Sequence, residues 1–299
     1  MNAAKITRQS KSNLALAFVS LGRERRRDIT VFYAFCRVID DIADEADLNG
    51  GEKQRRLGEW RGWLRAPTPD EPALARDLRR LISKYPLTPE MLDEIIAGVE
   101  MDLNIKRFAT FEQLRVYCYR VASAVGLVSI EIFGYRNPAC KQYAIQLGLA
   151  LQMTNIIRDV GKDLRHDRIY LPQEDLDRFG CRKDDLARQT VNSTFVALMR
   201  FEAERAWQLY EEGSKLLPLV NADSQAALWA LICTYSGVLK KIESRGYDVF
   251  SSRTGLSTAQ KIWIMIRARL GWWSQIYAFE ESGRGGRWTG RSFLRRRPG

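Results

Sequence analysis

The chain has 299 residues, 45% of them hydrophobic, and its 47 Lys and Arg against 36 Asp and Glu give a formal net charge of +11. This length allows a large buried core, in one large domain or two smaller ones. The five cysteines are odd in number, far apart and without CxxC spacing, which argues against a disulfide framework or zinc site and favours a reducing cytosol. Sparse proline and abundant Leu, Ala, Arg and Glu favour an all-α fold.

The N-terminal segment has basic residues ahead of the apolar run LALAFVSLG and therefore superficially resembles a signal peptide. No small-residue cleavage site follows the run, so we interpret the segment as part of the fold and not as a targeting signal. No stretch approaches the roughly 20 apolar residues that a membrane span requires, so no transmembrane helix is predicted.

An amphipathic helix is predicted between Val31 and Ala46, where apolar residues recur at helical spacing. Its polar residues form a single stripe at i, i+4, i+7, i+11 and i+14, namely Tyr33, Arg37, Asp40, Asp44 and Asp47. Asp40 and Asp44 would lie one turn apart, about 6 Å, and their like charges would repel unless a cation compensates them. Taken alone, one DxxxD motif is most simply a solvated acidic face with Arg37 as its counter-ion.

Turn-forming residues predict four loops, at 66–72, 84–90, 134–138 and 165–173. These loops separate helices and not domains, so we predict a single all-helical domain over residues 1–280. Residues 281–299 contain glycines and six arginines against one glutamate, which predicts a flexible basic tail.

A predicted apolar helix between Tyr117 and Gly134 is interrupted by small residues. These are Ala122, Ser123, Ala124 and Gly126. They thin one face of the helix, which leaves either a groove or a site of close helix packing. A groove lined by Val121, Val125 and Leu127 would suit an isoprenoid chain. Tyr117, at its polar end, could orient or accept a proton near a departing diphosphate.

A second polar stripe begins just after Leu151. It consists of Gln152, Asn155, Asp159 and Asp163, at i, i+3, i+7 and i+11, and it ends in a second DxxxD motif. The flanking residues are apolar, and unpaired amides are costly to bury. We therefore expect Gln152 and Asn155 to face a polar cavity.

Two DxxxD helices that face each other would form a pocket of four carboxylates. Oxygen ligands alone select hard cations such as Mg²⁺, which bridges carboxylates to substrate phosphates. The sole histidine, His166, argues against a transition-metal centre, and an EF-hand is excluded because its loop pattern is missing. Arg37 and either Arg158 or Arg168 could hold the same phosphates. We interpret the acidic stripes as a metal–diphosphate clamp.

Three blocks, FYAFCRVIDDIADE, YCYRVASAVG and LQMTNIIRDVGKDLRHDRIYLP, resemble those of the squalene and phytoene synthases in order and spacing, and YDVFSSRTGLSTAQK adds weaker support. The resemblance extends from about Ser12 to about Ile266. It implies an all-α isoprenoid-synthase fold around a central cavity and dependence on Mg²⁺. It also implies that two allylic prenyl diphosphates condense head to head through a cyclopropyl diphosphate intermediate.

The resemblance also implies roles for individual residues. The carboxylates that bind Mg²⁺ and diphosphate would be Asp40, Asp44, Asp159 and Asp163, with Arg37 and Arg168 contacting phosphate. The polar part of the site would be lined by Tyr33, Gln152, Asn155 and Tyr170, and the pocket block would contribute Tyr117, Val121, Ala122 and Gly126. The sequence departs from the family pattern at Ser123, usually glycine, and at Asn13 and Leu14, near a common Ser-aromatic pair.

Farnesyl diphosphate is the expected substrate, with presqualene diphosphate and then squalene or dehydrosqualene as products. The reason is that Ser123 adds bulk beside the groove, while Ile130, Ile132 and Phe133 could shorten its far end. The alternative is a phytoene synthase that uses geranylgeranyl diphosphate. Use of NADPH stays open, because no G-x-G-x-x-G motif follows a predicted strand.

An alternative interpretation, from another functional class, is that the protein is a non-catalytic helical scaffold or a membrane-surface protein. One side of the helix near residue 266 carries Ile262, Trp263, Ile266, Leu270 and Trp273, which suits an interfacial helix or burial in the domain. Binding without chemistry would not explain two DxxxD stripes. The basic C-terminal region predicts a cytoplasmic protein in peripheral contact with the inner face of the membrane, and no recognised motif supports nucleic-acid binding.

Overall fold

The computed structural model of the protein describes residues 17–271, which form helices joined by short connections. After a 3-10 turn, Phe18–Ser20, the helices are α1 (Arg23–Asp44), α2 (Gly50–Arg65), α3 (Ala73–Lys84), α4 (Pro89–Asn104), α5 (Phe111–Cys118), α6 (Ala124–Phe133), α7 (Cys140–Leu164), α8 (Gln173–Arg178), α9 (Lys183–Ala187), α10 (Ser193–Gly213), α11 (Ala222–Ser244) and α12 (Thr258–Arg269). A π-helical turn, Tyr119–Ser123, joins α5 to α6, and a 3-10 turn, Ser214–Leu219, follows α10.

The predicted all-α fold is confirmed: residues 17–271 contain no β-strand, only two isolated backbone bridges. Each of the four predicted loops coincides with a connection between two helices. All five cysteines are free and buried. The proposed basic tail, residues 281–299, and the departure at Asn13 and Leu14 lie outside the described residues.

Local side chains explain why several helices begin where they do. The side chain of Asn49 accepts a hydrogen bond from the Glu52 amide at 2.9 Å at the start of α2. At the start of α12, Ser257 and Gln260 form a reciprocal capping box. Such caps satisfy amides that have no partner within the helix.

Buried apolar side chains form two clusters. The first surrounds α7 and includes side chains of α10 and α11, whereas the second joins α1 to α2, α3 and α4. Helix α6 contributes to both, with Ile130 in the first cluster and Val128 in the second. The two helices that carry the DxxxD motifs, α1 and α7, are therefore each anchored along an apolar face, which leaves their polar stripes free for function.

The continuous helical stretch Phe111–Phe133 is, among the described residues, the one helix long and apolar enough to cross a membrane by length and composition. Half of the apolar segment of this helix is buried inside the protein, and the helix packs against α4 and α7. These contacts are those of a core helix. Its π-helical turn lies within the block YCYRVASAVG, where the Ala124 amide donates to the Tyr119 carbonyl. Such turns occur frequently at functional sites.

The small residues of this stretch allow close packing between helices. A Cβ atom added at Gly148 in α7 would lie 2.5 Å from the Ser123 Cα, and one at Gly126 would lie 3.2 Å from the Ala144 carbonyl oxygen. The Ser123 side chain is fully buried, and its hydroxyl donates to the Ile145 carbonyl at 2.8 Å. The structure therefore does not support the interpretation of Ser123 as bulk beside a groove, because the residue is buried and its hydroxyl bonds to α7 at the crossing.

Candidate active site

The first acidic stripe lies at the C-terminal end of α1, which ends at Asp44. Arg37 pairs with Asp41 on the same helix, and its guanidinium also lies 3.8 Å from Asp40. The side chain of Asp44 has no hydrogen-bond or ion-pair partner among residues 17–271. Protein cations therefore neutralise the negative charge of this stripe only partly.

Asp40 is partly exposed, but its surroundings disfavour a negative charge. Its side chain is 49% exposed, yet the surrounding protein raises its pKa to about 7. Burial is the largest cause; the charge of Arg37 opposes it, and those of Asp44 and Asp102 add to it. Partial access to water together with an unfavourable environment for charge is expected of a carboxylate that lines a cavity.

The second stripe lies on α7. Gln152 and Asn155 are half-buried, and the Asn155 amide donates to Gln152 Oε1 at 3.3 Å. This placement, neither sealed in the core nor fully exposed, is consistent with the expected polar cavity.

The two carboxylates of the second stripe differ in their partners. Asp159 accepts hydrogen bonds from Arg158 Nε at 2.9 Å and Arg253 Nε at 3.0 Å. Burial opposes its ionisation, but the two guanidinium groups outweigh burial and hold its pKa below the usual value. The side chain of Asp163 has no hydrogen-bond or ion-pair partner in the described part of the chain, and burial, with the charge of Asp159, raises its pKa to about 7.

These donors fit a hard cation shared with a phosphate ligand. Within residues 17–271, no three His, Cys, Asp or Glu side chains converge closely enough to hold an ion by themselves. Mg²⁺ typically takes one or two protein carboxylates and completes its shell with water and substrate phosphates. Asp44 and Asp163, which lack a cation partner among the described residues, are suited to that role.

Asp102, at the end of α4, is a site residue that the sequence analysis missed. It accepts hydrogen bonds from the Tyr170 hydroxyl at 2.7 Å and the Tyr117 hydroxyl at 3.0 Å, and its backbone carbonyl accepts one from Arg168 at 3.1 Å. Its charge contributes to the raised pKa values of both Asp40 and Asp163. Asp102 therefore lies near both acidic stripes.

The loop after α7 brings Tyr170 and Arg168 to Asp102. A backbone bridge joins Arg107 to Ile169, and Arg107 also donates to Asp167 at 2.7 Å. The aromatic rings of Phe108, Tyr117 and Tyr170 then pack together, with centroids 5.3 to 6.0 Å apart. Burial, followed by the charge of Asp102, raises the pKa of Tyr117. Its phenol therefore stays protonated at neutral pH and acts as a hydrogen-bond donor rather than a base.

The remaining predicted residues lie in different surroundings. Tyr33 is 7% exposed and packs edge-to-face with Phe18 at 5.9 Å between ring centroids, within the second apolar cluster. Val121 and Ala122, in the π-helical turn, are half-buried, and Gly126 lies at the crossing with α7. Arg253 was missed as a partner of Asp159, although it lies in the block YDVFSSRTGLSTAQK.

Comparison with known proteins identifies the family. The sequence model for squalene/phytoene synthases matches residues 7–260. The chain is 32% identical over 272 residues to 15-cis-phytoene synthase of Synechocystis sp., covering 86% of this chain and 80% of the relative. It is 33% identical over 247 residues to the chloroplastic phytoene synthase of Daucus carota, covering 80% and 62%.

Solved structures show the same similarity. A dehydrosqualene synthase in complex with ligand superposes with a TM-score of 0.83 at 29% identity, covering 91% of this chain and 95% of that one. The squalene synthase HpnC from Alicyclobacillus acidocaldarius superposes with a TM-score of 0.75 at 27% identity, covering 82% and 93%. The described helices thus have the isoprenoid-synthase fold. The chain belongs to the squalene/phytoene synthase family of prenyl transferases.

Proposed function

We propose that the protein condenses two molecules of geranylgeranyl diphosphate head to head to form phytoene, in a reaction that depends on Mg²⁺. The observation that carries this choice is the similarity, over most of the chain, to relatives named phytoene synthase. The arrangement of the two acidic stripes around Asp102 supports a reaction at allylic diphosphates but does not distinguish their lengths.

The sequence analysis favoured farnesyl diphosphate, and the structure weakens its physical argument. Ser123 is buried at the crossing with α7 and hydrogen-bonded to it. Ile132 and Phe133 pack in the second apolar cluster, and Ile130 packs in the first. The argument for a shortened groove therefore no longer has Ser123 as support, and the relatives favour the longer substrate.

The proposed reaction begins when the C1–O bond of one substrate breaks and diphosphate departs with the electron pair. The C2–C3 double bond of the second substrate attacks that C1, and loss of a proton closes a cyclopropane ring. Departure of the second diphosphate and rearrangement of the ring then give a linear chain, which loses a further proton to form phytoene. Formation of squalene would instead consume a hydride from a reductant such as NADPH.

The chain's own residues would organise these steps. Carboxylates of the two stripes would hold Mg²⁺, which neutralises diphosphate charge and so promotes its departure. Arg158 and Arg253 keep Asp159 ionised, and Asp102 fixes the hydroxyls of Tyr117 and Tyr170. Fixed donors would favour departure of diphosphate, and exclusion of water from the bound substrates would protect the carbocations.

A second candidate is a dehydrosqualene synthase that uses farnesyl diphosphate. It is favoured by the superposition on a dehydrosqualene synthase, with a TM-score of 0.83. Both candidates share the head-to-head mechanism and differ by one isoprene unit per substrate.

A competition experiment distinguishes these candidates. Equimolar farnesyl and geranylgeranyl diphosphates would be supplied with Mg²⁺, with and without NADPH, and the hydrocarbons identified by mass. We expect a predominant C40 product that does not depend on NADPH and is abolished by EDTA. A predominant C30 product would reject the substrate choice. Absence of diphosphate release from either substrate would instead support the non-catalytic scaffold.

We further propose a cytoplasmic protein in peripheral contact with the inner face of the membrane. The net charge of +11 and the six arginines of residues 281–299 support contact with anionic lipids. A long hydrocarbon product has low solubility in water, so contact with a bilayer would assist its removal.

A further inference from the structure

Helix α12 exposes apolar side chains on the side away from the core. Ala268 is buried, and Ile264 and Met265 pack against the first apolar cluster. The exposed side chains are Ile262, Trp263, Ile266 and Leu270, at 54%, 46%, 44% and 60%. A surface helix normally turns polar residues outward, so an apolar outward face indicates a partner.

The apolar surface continues onto the neighbouring 3-10 turn, Phe18–Ser20. Val19 in this turn is 46% exposed, and the turn packs against both α12 and α1. The described residues contain seven exposed large apolar side chains, and five of them lie on α12, on the residue that directly follows it, Leu270, and on this turn; the other two are Val116 and Val191. This concentration distinguishes a patch from the scattered exposure that is normal for a protein surface.

Basic side chains lie at the start of α1, the helix against which the turn that carries Val19 packs. Arg23 and Arg27, at the start of α1, are exposed, and their side chains have no hydrogen-bond or ion-pair partner among residues 17–271. They line a groove of about 580 Å³ between α1 and α3 together with Arg80 and Lys84. Lys84 pairs with both Glu24 and Asp28, which leaves one acidic charge uncompensated, so these three side chains together with Arg23 and Arg27 keep a net positive charge.

Cations also flank the patch on α12 itself. Lys261 is half-exposed and Arg269 is exposed, and neither has an ion-pair partner in the described part of the chain. We call the combined surface the apolar–basic face; its members are Val19, Arg23, Arg27, Lys261, Ile262, Trp263, Ile266, Arg269 and Leu270.

We propose that the apolar–basic face docks on an anionic phospholipid bilayer. The exposed side chains of α12 would enter the boundary between headgroups and acyl chains, with Trp263 at the level at which tryptophan is enriched. Unpaired arginines complement negatively charged headgroups, which favours a bilayer over an uncharged protein surface. This inference deepens the membrane contact proposed above by placing it on described residues, and it holds for either substrate length.

Sedimentation of the full chain with vesicles tests the proposal. Vesicles of phosphatidylcholine alone would be compared with mixtures that contain phosphatidylglycerol. We expect binding to the anionic mixture, weakened by salt, because each arginine near an anionic surface contributes about five-fold in affinity. Equal binding to both kinds of vesicle would overturn the electrostatic part of the proposal.

Paired variants locate the contact. Trp263→Ser with Ile266→Ser removes apolar contacts, and Arg23→Glu with Arg27→Glu reverses charge. We expect each pair to lower affinity at least tenfold. Matched controls elsewhere, Val191→Ser and Arg188→Glu, should bind like the wild type. Unchanged binding in the variant pairs would reject the apolar–basic face.

Further measurements distinguish this proposal from binding by the C-terminal tail, from a protein interface and from the proposed function. If the apolar–basic face suffices, a chain truncated after Gly271 still binds; loss of all binding would assign the contact to the tail. A shift from dimer to monomer in the Trp263→Ser variant would reveal a protein interface instead and would overturn the proposal. Turnover in detergent should stay unchanged in the variant pairs, so failure of vesicle binding is distinguishable from failure of the proposed catalysis.

Discussion

The Tyr170 hydroxyl donates a hydrogen bond to Asp102 Oδ1 at 2.7 Å and thereby joins the loop after α7 to the end of α4. Tyr117 donates to the other carboxylate oxygen of Asp102 at 3.0 Å. The negative charge of Asp102 also contributes to the raised pKa values of Asp40 and Asp163, so this network lies near both acidic stripes.

Asp102→Asn should lower turnover by about tenfold to a hundredfold while the fold stays intact. A hydrogen bond to a charged group contributes about 1.5–3 kcal/mol, and the neutral amide would orient the two phenols less firmly. Steady-state kinetics and thermal unfolding of Asp102→Asn, Tyr170→Phe and the double variant would measure the coupling. Strictly additive effects would show that Asp102 does not act through Tyr170.

Asp40→Asn and Asp159→Asn should both reduce turnover by orders of magnitude but should change stability in opposite directions. Asp40→Asn removes a charge that neighbouring acids oppose, so the metal-free protein should become more stable. Asp159→Asn leaves Arg158 and Arg253 without their carboxylate and should cost about 1–3 kcal/mol. Thermal unfolding in EDTA, paired with activity in Mg²⁺, measures both effects. Full activity in either variant would reject the clamp.

Stability of the metal-free protein should fall as pH rises from about 4 to about 7. Asp40 and Asp163 have pKa values near 7 in the folded protein and 3.8 as their ordinary value, so the folded state binds more protons in this window. After allowance for solvent screening, each contributes on the order of 1 kcal/mol. Denaturant unfolding of wild type and Asp163→Asn at pH 5 and pH 8 measures the slope. An equally steep pH dependence in the variant would contradict this origin.

The sequence predicted features that depend on spacing within one helix. Asp40 and Asp44 follow helical spacing on α1, as Asp159 and Asp163 do on α7, and the loops carry their own turn residues. Asp102 could not be predicted in this way, because its partners belong to α5 and to the loop after α7. A single carboxylate without a second at helical spacing gives no periodic signal.

The sequence also could not show whether the small residues form a groove or a close helix crossing. Small residues such as Gly126 permit either a groove or close packing, and the choice depends on which helix lies opposite. Only the structure shows that Ala144 of α7 lies against Gly126, and that Gly148 lies against Ser123.

Gly148→Ala should destabilise the protein by about 1–3 kcal/mol, because its methyl group would lie 2.5 Å from the Ser123 Cα and the helices would have to separate. Gly58→Ala in α2 is the matched control: nothing lies within 4 Å of its added Cβ, so it should stabilise the helix by about 0.5–1 kcal/mol. Denaturant midpoints measure both. Similar midpoints for the two variants would mean that the crossing is looser than described.

Ser123→Gly should leave the product length unchanged and lower the stability. The hydroxyl of Ser123 bonds to the Ile145 carbonyl and its side chain is fully buried, so its removal opens space at the crossing with α7. Loss of the hydrogen bond and an added glycine in a helix together should cost about 1–2 kcal/mol. The competition between farnesyl and geranylgeranyl diphosphates, repeated with this variant, measures the product ratio, and thermal unfolding measures the cost. A shift of the variant towards the longer hydrocarbon, at unchanged stability, would show that Ser123 does limit chain length and would restore the steric argument made from the sequence.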